Sequence, residues 1–117
     1  MQIPADDPVL RSPAMALLEE ADQAREAGDA VTAGRRLERA LNLAPGSTWI
    51  YRQLAELRLE QGEPAAAEGF IRRALRHAGS ADDQYRAALY ELLAESLSRQ
   101  GDWQGAAGAR ESAVKLR

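Results

Sequence analysis

The sequence predicts an all-α protein built as three antiparallel helix hairpins stacked in series. Three observations carry this. Ala, Leu, Glu, Arg and Gln dominate from residue 14 onward, with none of the alternating β-branched runs that strands need. Glycine-acid breaks recur as Gly28-Asp29, Gly62-Glu63-Pro64 and Gly101-Asp102, each a helix-ending Gly directly before an N-cap candidate. The glycines of these breaks stand 34 and then 39 residues apart, a spacing that marks an internal repeat.

Residues 1–13 contain Pro4, Pro8 and Pro13 with Asp6 and Asp7 between them. Each Pro pushes the preceding residue out of helical geometry, so this stretch is expected to be a flexible tail or linker. Ser12-Pro13 is a good helix start, a capping hydroxyl followed by a ring whose missing N–H is not needed in the first turn. Pro45-Gly46-Ser47 and Gly79-Ser80 supply the remaining breaks, each ending in a Ser that can cap the next helix. Six helices follow, at about 13–27, 30–44, 48–61, 64–78, 82–100 and 103–116, within a domain at 14–117 whose repeats run 14–47, 48–81 and 82–117. The second interval exceeds the first by five residues, and since no turn signal interrupts 82–100, they are assigned to an extended start of the fifth helix.

Aligned on their glycines, the three units share columns of small residues: Ala21, Ala55 and Ala94; Ala33, Ala67 and Ala106; Ala40, Ala74 and Ala113. Small side chains let two helices approach closely, while Leu37, Leu54, Ile71 and Leu93 fill the remaining gaps. With the 34-residue period these columns resemble the tetratricopeptide repeat family over about nine tenths of the chain. The resemblance implies a right-handed solenoid whose first helices line a concave groove and whose second helices form the convex back. The Pro that closes a unit in that family is present as Pro45 and replaced by Gly79 in the second unit. The stretch Leu37 to Glu68 also resembles the repeat domain of small proteobacterial envelope lipoproteins, though their lipid-attachment Cys and signal peptide are absent here. The chain as written reads as cytoplasmic, and as periplasmic or envelope-associated if it is part of such a lipoprotein.

Composition bounds the function. Hydrophobic residues make up 45% and charged residues 28%, which suits a single globular domain of 117 residues. A net charge of −3 gives no global attraction to nucleic acid or to anionic membranes, and no apolar run is long enough to insert in a bilayer. There is no Cys, which removes disulfides and thiolate metal sites. His77 is the single histidine, beside Arg73 and Arg76, with no carboxylate or nucleophile in sequence reach, and is read as a surface residue. Ser12, Ser47 and Ser80 are better explained as caps than as nucleophiles, and Asp82-Asp83 as a helix start than as a cation site. Neither a catalytic site nor a cofactor or metal site is expected.

Charge segregates by helix: the first helices of the hairpins sum to −5 and the second helices to +3. On the central first helix, Trp49, Arg52, Gln53, Glu56 and Glu60 form one stripe at three- and four-residue steps. Matching stripes hold Met15, Leu18, Glu19, Asp22 and Glu26 on one side, and Ala88, Glu91, Leu92, Glu95 and Arg99 on the other. The partner-binding groove is therefore assigned to Leu18, Glu19, Asp22, Trp49, Arg52, Gln53, Glu56, Glu91 and Glu95, with Leu18 and Trp49 as apolar anchors. Seven acids on these stripes outnumber Arg52 and Arg99, so the expected ligand is an apolar protein or peptide segment with basic residues. The Lys, Asn and Arg set by which some family members clamp a C-terminal carboxylate is replaced here by Leu18, Asp22, Gln53 and Leu92, which disfavours that ligand. The alternative is a self-associating or spacer domain, with the protein a monomer or a weak homodimer. It rests on the absence of the family's extra capping helix after residue 117, which leaves Val114 and Leu116 open.

Overall fold

Every glycine of the repeated breaks folds back on the helix before it, and this sets the architecture. The computed structural model describes residues 2–79 and 82–117. In it Gly28, Gly62 and Gly101 all adopt positive φ, at 77°, 73° and 80°, the left-handed geometry that ends a helix and that side chains with a Cβ disfavour. The residue after each begins the next helix: Asp29 and Asp102 cap it by accepting the backbone N–H of Thr32 and Gly105, and Glu63 stands before Pro64 at the first helical position.

The helices are α1 Met15–Glu26, α2 Ala30–Leu43, α3 Thr48–Glu60, α4 Pro64–Ala78, α5 Asp83–Arg99 and α6 Trp103–Lys115. Within the hairpins α1 packs on α2, α3 on α4 and α5 on α6; between hairpins α2 meets α3 and α4 meets α5. No strand occurs among the described residues. As expected, α5 is the long helix, with 17 residues against 13 in α3. Its start is fixed by Asp82, whose carboxylate accepts from the N–H groups of Gln84 and Tyr85. Ser47 caps α3 through Ile50 N–H, whereas the cap expected of Ser80 lies outside the described residues.

All nine alanines of the small-residue columns are buried. Eight of them sit in two clusters, three between the first and second hairpins around Leu37, Leu54 and Ile50, and five between the second and third around Ile71, Leu89 and Leu93. Such cores are held by helix-to-helix proximity more than by bulk, consistent with aromatics at 5% of the chain.

Two expectations need correction. The first helix begins at Met15 rather than at residue 13: Ser12 Oγ accepts from Ala14 N–H and donates to the Val9 carbonyl, closing a turn ahead of the helix. More substantially, residues 7–13 do not form a flexible tail. Pro8–Arg11 is a 3-10 turn, Val9 is fully buried in the first cluster, and Asp7 is buried with its carboxylate accepting from both Val9 N–H and Trp49 N–H. Proline density is a poor guide to disorder in so short a stretch. One aliphatic side chain in a socket and one carboxylate on a helix N-terminus suffice to anchor it.

Candidate groove on the first helices

The residues of the expected α3 stripe have different surroundings at its two ends. At the C-terminal end of α3, a cleft of about 310 Å³ opens between α3 and α5, lined by Glu56, Leu59, Glu60, Leu92, Glu95 and Arg99. At the N-terminal end, Trp49 and Leu18 are not exposed anchors. Trp49 is 9% exposed and Leu18 is fully packed, and both belong to the cluster between the first and second hairpins. Helical spacing assigns each of them to a stripe of its helix and says nothing of what packs on that stripe. What closes that face is contributed by other parts of the chain, which a helical wheel cannot show.

The charge pattern is corrected in the same way. Arg52 donates from Nε to Glu56 Oε1 at 3.0 Å, with its guanidinium carbon 5.9 Å from the centre of the Trp49 ring and 5.7 Å from that of Tyr85. Arg25 reaches from α1 to α3, donating to Gln53 Oε1 at 3.0 Å and to Glu60 Oε1 at 2.5 Å. Arg99 donates to Glu95 Oε1 and to the Leu59 carbonyl, each at 3.0 Å. Glu91 is drawn to Arg117 at the end of α6, at 2.6 Å, and that guanidinium holds its carboxyl below the usual glutamate range. Four of the seven acids are thus matched, and an acidic floor across the whole groove is not what forms. Among the described residues Glu19, Asp22 and Glu26 on α1 have no ion-pair partner, so the uncompensated charge sits at the α1 side.

Sequence reasoning missed Arg25, Leu59 and Tyr85. Arg25 was legible, since it lies three residues beyond Asp22 on the same face. Tyr85 was not, because it lies in the four-residue extension of α5 that breaks the repeat register. Its hydroxyl lies 3.2 Å from the Thr48 hydroxyl, and burial pushes its pKa up. His77 stacks on Tyr51 with ring centres 5.5 Å apart and remains exposed. No three His, Cys, Asp or Glu side chains converge to hold a metal, and no helix is long and apolar enough to cross a membrane, among the described residues.

Comparison with known proteins fits this geometry. A tetratricopeptide repeat family model matches residues 24–89, more than half of the chain. The globular C-terminal domain of Pseudomonas aeruginosa LpoP superposes with a TM-score of 0.79 at 40% identity, covering 95% of this chain and 99% of that one. The N-terminal domain of the Caenorhabditis elegans stress-induced protein-1 superposes with a TM-score of 0.83 at 19% identity, over 88% of this chain and 83% of that one. The second tetratricopeptide domain of Spaghetti, solved with an HSP90 peptide, gives 0.77 at 14% identity over 89% and 92% of the two chains, a likeness of fold alone. A curated relative, the cellulose synthase operon protein C of Xanthomonas axonopodis pv. citri (strain 306), is 38% identical over 86 residues. Those residues are 74% of this chain, which spans only 5% of that relative's length. The fold is one that serves protein interaction, and the chain belongs to the tetratricopeptide repeat family.

Proposed function

We propose that this chain is a non-catalytic interaction module that takes a segment of a partner protein along the face formed by α1, α3 and α5. The observation that carries this is the open α3–α5 cleft with Leu59 and Leu92 among charged side chains. A partner's apolar side chains seat between the helices while its polar groups exchange with the Arg52–Glu56 and Arg99–Glu95 pairs. Exposed pairs of this kind hold little energy and break readily for a better partner. The unpaired Glu19, Asp22 and Glu26 favour basic residues at the α1 end, where exposed charge raises the association rate more than the lifetime. The likeness to the LpoP domain, together with the lipoprotein-like stretch from Leu37 to Glu68, supports an envelope-associated setting.

The test is a fluorescence anisotropy screen of basic amphipathic peptides against the intact chain and a Glu19→Lys/Asp22→Lys variant. The variant should bind the selected peptides more slowly and with less sensitivity to salt. Unchanged binding would show that the α1 acids do not meet the ligand and would sink the assignment of its basic residues to that end. A second reading, self-association or a spacer role, is favoured by exposed Trp103 and Val114 on α6. Light scattering tests self-association, and a strict monomer favours the groove reading.

A further inference from the structure

We propose that residues 3–9 form a releasable cover on the concave face, and that beneath them lies a second subsite, floored by Trp49, for an aliphatic side chain of a bound segment. This rests on the groove reading, because it extends the same face toward the N-terminus of α3.

Trp49 stands on the stripe that carries Arg52, Glu56 and Glu60, the last two of which line an open cleft. Trp49 itself is closed over. The N-terminal segment meets α3 at the Trp49 backbone and the Thr48 hydroxyl, and Pro4, Asp6, Asp7 and Pro8 line a small pocket with Thr48, His77 and Tyr85. Asp7 Oδ2 accepts Trp49 N–H at 3.1 Å and lies 3.3 Å from the Thr48 hydroxyl, and Ile3 packs on the cluster that holds Trp49 and Leu18. The hold is small in extent: one carboxylate, buried Val9 and half-buried Ile3, while Gln2, Ala5, Asp6 and Pro8 face solvent. A segment fastened at so few points opens locally long before the helices separate.

An independent feature points to a ligand. Trp49 Nε1 is buried and has no hydrogen-bond partner, the one such side-chain atom among the described residues. Buried donors without acceptors are costly, so the covered state is penalised at this atom. A partner segment that displaces the cover and brings a carbonyl oxygen satisfies the indole N–H. Its aliphatic side chain then takes the place that Ile3 holds on this cluster, with Arg52 nearby over the Trp49 and Tyr85 rings at 5.9 and 5.7 Å. The ligand class is a short extended peptide with an aliphatic residue.

The experiment uses the full chain with Trp103→Phe, which leaves Trp49 as the single tryptophan. Adding Asp7→Ala should red-shift Trp49 emission and raise its quenching by acrylamide several-fold, with helical circular dichroism unchanged. A synthetic peptide of residues 2–11 added in trans should reverse both changes in that variant and do nothing to the Asp7 protein, whose own segment competes at high effective concentration. Trp49 that stays blue and unquenched in folded Asp7→Ala, or a peptide without effect on it, overturns the proposal. Should Asp7→Ala not fold, hydrogen exchange of the Asp7 protein decides. The Val9 and Trp49 amides should exchange by local opening, and exchange only together with Leu54 in global unfolding refutes a releasable cover. No partner enters these measurements, so a failure of the groove reading is registered separately, by the charge-reversal screen.

Discussion

Leu37 on α2 and Ile71 on α4 occupy equivalent positions, nine residues beyond the glycine of each hairpin, and both are buried against the next hairpin. The third hairpin places Arg110 there, exposed, with its guanidinium on Ser98 Oγ. Four residues after it and seven before it, this comparison sharpens. Leu41 and Leu75 pack on neighbouring hairpins, whereas their equivalent Val114 is 68% exposed, and Trp103 at the start of α6 is 70% exposed. Near the start of the chain, Val9 and Asp7 are buried at the joint between the first and second hairpins and on the N-terminus of α3, although they belong to no repeat. The two regions therefore differ in kind: that joint is covered by a non-repeating segment, while the third hairpin presents the inter-hairpin face of a repeat with a charge at its centre. In a stack of repeats, burial belongs to the interface and not to the residue, so the same register position is core in one unit and surface in the next.

The two tryptophans give the largest expected contrast. Trp49→Ala should cost about 3–5 kcal/mol in urea unfolding, because it empties a packed site, whereas Trp103→Ala should stay within ~0.5 kcal/mol. Similar losses at both would mean that α6 is covered in solution. Position 67 offers a finer contrast. Ala67→Leu overpacks the second hairpin at a fully buried site and should cost about 1–3 kcal/mol in the same measurement. Ala107→Leu, on the exposed face of α6, should be nearly neutral, and a large loss there would again indicate a covered end.

The smallest effect concerns the joint between the second and third hairpins. Glu68 is held below the usual glutamate range first by its hydrogen bond from Arg72 and then by that from Gln100, the residue that follows α5. A carboxyl whose pKa is lowered on folding contributes stability that is fully present above the ordinary glutamate range. That contribution is lost as pH falls through the lowered value. For a surface pair whose Arg72 side chain is half exposed it is worth ~0.5 kcal/mol or less. Glu68→Gln should flatten the acid side of the urea midpoint against pH, and an unchanged slope would assign that dependence to other carboxylates.

Much of this molecule was legible in advance, and the misses share one cause. Helix ends were predicted within two residues because Gly28, Gly62, Gly101, Ser47 and Asp82 act on their own backbone neighbours. The alanine columns were legible because a repeat shows the same packing requirement three times. The groove was read less well. Leu18 and Trp49, expected as exposed anchors, are buried. Glu56, Glu60, Glu91 and Glu95 were counted as free charge, although Arg52, Arg25, Arg117 and Arg99 neutralise them, two of these from other helices.

What the sequence by itself determined was everything that acts within a few residues or repeats with the period: helix positions, the three hairpins, their small-residue contacts and the family. The tertiary structure alone decided which parts of the face formed by α1, α3 and α5 are open. Exposure and charge pairing there depend on groups 28 to 42 residues apart in the chain, as in Arg25 with Gln53, Arg25 with Glu60 and Asp7 with Trp49. Helical periodicity assigns a side chain to a face; only the packed chain shows what else arrives at that face.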